Sequence, residues 1–182
     1  MKKSSFLLIM FALLSVASCD KLGVMMDMRK AVGETIIFPE SLEYYPALAE
    51  YDNTCNPKAS IVIWYDSTMC TGCKLNALDN LSFIESFCHD SIQNVNVNII
   101  FSPTARAVEP FRDGIPKFNR SYPIYLDSCQ FFARANEQLP KKFFLHTFLL
   151  DKDNRVIMCG DPLPSPQLWE TYKKKIRQLT QD

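Results

Sequence analysis

The sequence predicts an α/β domain, a central mixed sheet flanked by helices. Ile61-Val62-Ile63-Trp64-Tyr65 is an unbroken β-favouring run, as expected of a strand buried on both faces of a largely parallel sheet. Val95 to Phe101 repeats that character. Between and after these runs lie amphipathic stretches: Leu75, Leu78, Leu81, Ile84 and Phe87 form one apolar stripe, and Leu168, Tyr172, Ile176 and Leu179 form another. Strands alternating with helices over a single chain lead to one layered domain.

The segments follow in chain order. Lys2 and Lys3 precede an apolar run from Phe6 to Leu14, too short to span a bilayer, which takes about 20 apolar residues. Val16-Ala17-Ser18-Cys19 closes it with small residues before a cysteine and resembles the lipobox of bacterial lipoprotein signals. That resemblance implies cleavage before Cys19 and acylation of Cys19, which would anchor the chain to a lipid bilayer outside the cytoplasm. Residues 1–18 are therefore expected to be a signal peptide, 19–32 a tether and 33–182 the folded domain, roughly 160 residues in the mature chain and enough for a proper core. Gly33 to Pro39 reads as a short extended piece and residues 40–58 as loop. Cys70 to Cys88 reads as one helix, Pro103 to Arg112 as a stretch interrupted by Pro110, Pro123 to Leu126 as a short strand, and Ser128 to Leu139 as a helix. Phe143 to Leu150 and Arg155 to Met158 flank Asp151-Lys152-Asp153-Asn154 as a hairpin. Ser165-Pro166 is an N-cap followed by proline at the first helical position.

Composition narrows the function. Lys plus Arg and Asp plus Glu number 20 each, so there is no basic surplus of the kind nucleic acid requires. Gly-rich phosphate loops of the GxGxxG or GxxxxGK[ST] type are absent from the sequence. Of seven cysteines, only Cys70 and Cys73 have a spacing with its own meaning, C-x-x-C, placed directly after a buried strand at the start of a helix. Unpaired backbone N–H groups there favour a thiolate at Cys70, and Lys74 adds charge nearby. Cys70 would attack a disulfide and Cys73, deeper in the turn, would resolve the mixed disulfide. A structural disulfide without turnover is the competing reading. Half of a zinc site lacks a second C-x-x-C or H-x₃₋₅-H to complete it. No metal and no dissociable cofactor is expected. Cys55, Cys88, Cys129 and Cys159 are expected to have no part in turnover, and Cys88 to be a small core residue.

Ile61 to Leu75, IVIWYDSTMCTGCKL, and Thr147 to Gly160, TFLLDKDNRVIMCG, resemble the two halves of a thioredoxin-like domain, in the style of the membrane-anchored TlpA and peroxiredoxin-like lipoproteins of Bacteroidetes. The resemblance implies a thioredoxin-like fold and thiol–disulfide exchange with extracytoplasmic protein thiols or disulfides, with electrons from a membrane donor that the sequence does not identify. It implies Cys70 as attacking and Cys73 as resolving cysteine, and a reductase or isomerase rather than a strong oxidant. The rival is a non-catalytic lipoprotein of the same fold that binds a partner. Met69 and Thr71-Gly72 depart from the family's Trp before the motif and Gly-Pro within it. The family's cis-proline ahead of the strand at Thr147 is matched by Leu145, followed by His146, so Leu145 and His146 are the candidate substrate loop. A cis bond before a non-proline residue costs about 2.5–4 kcal/mol, so Phe144–Leu145 is expected to be trans. His146 is expected either to exchange a proton with Cys73 or to be a partly exposed strand-end residue without a role.

Overall fold

The computed structural model describes residues 23–47, 56–76, 78–91, 94–117 and 122–181. The signal peptide, Cys19 and Cys55 lie outside them. Among the described residues, no helix is long and apolar enough to cross a membrane.

A six-stranded mixed sheet forms the centre, in the order β1-β4-β3-β2-β5-β6. The strands are β1 (Glu43–Tyr45), β2 (Ala59–Tyr65), β3 (Val95–Phe101), β4 (Ile124–Leu126), β5 (Thr147–Asp151) and β6 (Val156–Cys159). β2, β3 and β4 run parallel, while β1, β5 and β6 are antiparallel to their neighbours. The two central strands are buried along their whole length, which explains their unbroken apolar sequence. Successive side chains on β2 point to opposite faces. Ile61, Ile63 and Tyr65 join one core with Leu75, Leu81, Ile84, Tyr172 and Ile176. Val62 and Trp64 join the other with Ala31, Ile36, Phe132 and Phe148.

The helices cover both faces: α1 (residues 23–31), α2 (Thr71–Asn76), α3 (Ser82–Ser91), α4 (Val108–Gly114), α5 (Phe131–Ala135) and α6 (Pro166–Gln181). Where the sequence reads as tether, residues 23–31 are helical and Ala31 is buried in the second core. α6 starts as its capping residues dictate, with the Leu168 N–H donating to Ser165 Oγ at 3.2 Å. Pro110 is accommodated as the third residue of α4, where a missing N–H leaves no bond broken.

Four expectations are corrected. The helix from Cys70 to Cys88 is divided into α2, a 3₁₀ turn at Leu78–Leu81 and α3. The stripe's members recur every third residue, a step that drifts around a 3.6-residue helix; the 3₁₀ turn, with three residues per turn, keeps Leu78 and Leu81 on one side, where both pack against the core of Ile61 and Ile63. The loop reading of residues 40–58 misses β1, which pairs antiparallel with β4 and is held by Arg112, whose Nε and Nη2 donate to Glu43 at 2.9 and 2.6 Å. α5 stops at Ala135 instead of Leu139, because Asn136 leaves helical geometry and its amide donates to both Ile37 O and Phe132 O at 2.8 Å. Phe143–Leu145 is a 3₁₀ turn, not strand, with the Leu145 N–H donating to Lys142 O and the His146 N–H to Phe143 O.

Candidate redox site

β2 delivers the chain to the site. Beyond Tyr65, Asp66 organises the connector: its Oδ1 accepts the Thr68 N–H at 2.9 Å and the Thr68 hydroxyl at 2.6 Å, and its carbonyl accepts the Met69 N–H at 3.2 Å. Cys70 then stands as the residue before α2. Its carbonyl accepts the Lys74 N–H at 3.0 Å, the first bond of the helix. Its Sγ accepts the Cys73 N–H at 3.3 Å, so the sulfur fills the place that a serine or aspartate oxygen takes in an N-cap.

Cys70 and Cys73 are joined as a disulfide with a Cα–Cα distance of 5.3 Å. Both residues are exposed. α2 has six residues, too few for a long macrodipole; the local N–H contact is what favours negative charge on Cys70 Sγ when the bond opens. The Lys74 ammonium lies 5.6 Å from the Tyr65 ring centroid, over its face.

The loop ahead of β5 closes the other side. Every peptide bond among the described residues is trans, Phe144–Leu145 included. The residue directly before the strand is His146, one place after the position the resemblance indicates. Leu145 and His146 are each only 2% exposed, so neither side chain faces solvent; Phe143 and Phe144, at 54% and 40%, do. Phe143, Met69, Lys74, Leu163 and His146 line one small cavity between this loop and the start of α2.

His146 is therefore not a partly exposed strand-end residue. Its ring stacks on Trp64 with centroids 4.2 Å apart. Its Nε2 is 2.7 Å from Pro140 O, and since a carbonyl only accepts, Nε2 carries the hydrogen. Nδ1 is 3.6 Å from Asp66 Oδ2, beyond hydrogen-bond reach, and no described group bonds to it. Burial lowers the imidazole's pKa below its ordinary value, opposed by the Pro140 hydrogen bond and by Asp66. The structure thus sets His146 beside Asp66, a residue the sequence reading leaves as mere connector. The Asp-Ser-Thr start of a turn was a signal for that connector's shape, but nothing local shows that Asp66 meets His146.

The remaining cysteines are differently placed. Cys88 and Cys159 are buried thiols and Cys129 is exposed. Burial pushes Cys88 up to about 12 and Cys159 to about 11. Among the described residues, no group of three His, Cys, Asp or Glu side chains could hold a metal ion.

No protein-family model matches the sequence, and no curated protein does either. Solved structures do. A thioredoxin-like protein solved in its oxidized form superposes with a TM-score of 0.52 at 14% identity, over 82% of this chain and 97% of the other. A thioredoxin-like protein from Bacteroides caccae gives 0.48 at 13%, over 91% of this chain; the chain spans 55% of that protein's length. A putative protein disulfide isomerase from Bacteroides thetaiotaomicron gives 0.48 at 12%, over 83% of this chain and 91% of the other. The fold is thioredoxin-like, a mixed sheet between helices, with a disulfide at C-x-x-C spacing at the start of α2.

Proposed function

We propose that this chain is a thiol–disulfide oxidoreductase, held by lipid on Cys19 to an extracytoplasmic membrane surface and acting on protein disulfides as a reductase or isomerase. The observation that carries the reading is the Cys73 N–H donating to an exposed Cys70 Sγ. A structural staple needs neither exposure nor a donor aimed at one sulfur. A nucleophile needs both, because the thiolate is the reacting form and the substrate sulfur must reach it.

In the reductive direction the cycle starts with both thiols reduced. Cys70 thiolate attacks one sulfur of a substrate disulfide; a Cys70–substrate bond forms, and the substrate's own S–S bond breaks with departure of one thiolate. Cys73, as thiolate, then attacks Cys70 Sγ. The second substrate thiol leaves, and the Cys70–Cys73 bond seen in the structure is formed. The substrate has gained two electrons and the chain has lost two. A dithiol donor in the membrane restores them by the same exchange. The dithiol is itself the redox centre, so the cycle calls for no dissociable cofactor.

Cys73→Ser tests this. With the resolving step removed, Cys70 should accumulate mixed disulfides with extracytoplasmic proteins, visible as bands that collapse on reduction and that vanish in a Cys70→Ser/Cys73→Ser double variant. Absence of such bands, with Cys70 shown to be free and folded, would refute the exchange reading. Fatty-acid labelling of the same cells checks the anchor: Cys19→Ala should lose the label.

A further inference from the structure

α1 begins at residue 23, so only residues 20–22 stand between it and Cys19. The helix is fastened to the domain. Ala31 is fully buried in the second core, and Met28 packs against that core. Directly after the helix, the Gly33 N–H donates to Val156 O and the Val156 N–H donates to Glu34 O, each at 2.8 Å. An anchor on Cys19 is therefore joined, through three residues, to an element that is part of the folded body. Four residue steps reach at most about 14 Å, whatever their conformation. With lipid on Cys19, Gly23 is held within that distance of the bilayer surface, and the groups beside Gly23 are held near it too.

Those groups suit a lipid surface. The helical period puts Met25, Arg29, Met26 and Lys30 on one arc of α1, and all four are exposed, the methionines at 51% and 50%. Asp27 and Ala31 fall on the other side, half-buried and buried. At the first residue of the helix, Lys142 Nζ stands 4.0 Å from the point where a side chain on Gly23 would begin. Lys142 leads into Phe143 and Phe144, which are 54% and 40% exposed and pack edge to face with centroids 5.7 Å apart.

Exposed apolar side chains scattered singly need no explanation; pairs of them, each set beside cations, at the end of the domain where the anchor enters, do. The chain has 20 basic and 20 acidic residues, so this cationic character is local. We propose that this end of the domain rests on the bilayer, with Met25, Met26, Phe143 and Phe144 in the interface and the flanking Arg29, Lys30 and Lys142 among anionic headgroups. The contact rests on the proposed lipid at Cys19 and is independent of the redox reading. It bears on the redox site through Phe143, which with Met69 and Lys74 lines the small cavity at the start of α2. The Cys70–Cys73 disulfide is thereby carried at the membrane surface, where it meets first the thiols and disulfides of proteins held at that same surface.

The test uses the full acylated chain in vesicles of phosphatidylethanolamine and phosphatidylglycerol, with and without bromine on the acyl chains. Met26→Trp and Phe144→Trp place an indole on each part of the contact. Tyr44→Trp is the control, because Tyr44 is exposed on β1, at the opposite sheet edge from the β6 strand that holds the end of α1. Emission is read as the difference from wild type, whose Trp64 and Trp169 are common to all variants. Bromine quenches only at contact. Met26→Trp and Phe144→Trp should both lose emission in brominated vesicles, and Tyr44→Trp should not. Adding Arg29→Glu and Lys30→Glu should weaken the loss at Met26→Trp. A chain that floats with the vesicles while neither indole is quenched would overturn the contact and leave the anchor standing. Indoles shielded from iodide yet untouched by bromine would mean that a protein surface, a second copy or a partner, covers this face, and would overturn the contact equally. A chain that carries no lipid and does not float would refute the anchor and the contact together. The redox reading is decided separately, by the mixed disulfides of Cys73→Ser.

Discussion

At the start of the helical stretch that follows β2, Cys70 is exposed, bonded to Cys73 and touched by a backbone N–H. Towards the end of that stretch, Cys88 is 3% exposed, unpaired, and packed in the core beside the sheet, with its thiol pushed up to about 12. The side chain is the same, and so is the run of sequence that once reads as a single helix. The difference lies in what each sulfur faces. A thiol in an apolar core loses the hydration its anion needs and stays neutral. A sulfur at an open helix start keeps its solvent and gains a donor. C-x-x-C spacing by itself would not decide between a redox couple and a staple; the surroundings of Cys70, set against those of Cys88, favour the couple.

The largest expected effect separates the two regions by function. Cys70→Ser should abolish disulfide exchange while leaving the fold intact, because the residue lies on the surface. Cys88→Ala should leave exchange in place and instead lower stability by roughly 1 kcal/mol, the cost of a small core cavity. Insulin-type reduction assays and urea denaturation of both variants check this. An exchange-dead Cys88→Ala of normal stability would break the contrast.

A smaller effect concerns pH. The Cys88 thiol is raised in the folded chain from an ordinary value of 9.0 to about 12. Its neutral form is therefore favoured by folding, and the sign follows: the contribution is complete below about pH 9 and is lost progressively as pH rises towards 12. Urea midpoints measured at pH 8 and pH 10.5 should show wild type losing on the order of 1–2 kcal/mol more than Cys88→Ala over that interval. Equal losses would mean that Cys88 ionises freely in the native state.

The elements legible in the sequence are those whose signal is local. β2 and β3 carry continuous β-branched and aromatic runs, and α6 carries Ser165-Pro166 and its apolar stripe. The hairpin is marked by Asp151, whose Oδ1 accepts the Asp153 and Arg155 N–H groups, and by Asn154 at a φ of 60°. What the residues do not announce is tertiary. β1 is three residues long and exists because β4 and Arg112 hold it. At the start of β5 the Tyr172 hydroxyl, from α6, lies 2.9 Å from both Thr147 O and Gly160 O and shares its one hydrogen between them, a contact from a distant helix. The same holds at the site. Cys70 and Cys73 are written in the motif, whereas the burial of His146 depends on Trp64 beneath it and on the Pro140 carbonyl, and neither partner can be inferred from the residues adjoining it.

The central claim is that Cys70 and Cys73 form a working redox couple, and the reduction potential of that pair against a glutathione buffer tests it most directly. An exposed disulfide that opens to a thiolate with its own N–H donor should equilibrate with glutathione, at a potential between about −270 mV, near thioredoxin, and about −120 mV, where strong oxidants lie. A potential below about −300 mV, resistant to the glutathione pool, would mark a structural staple and contradict the account.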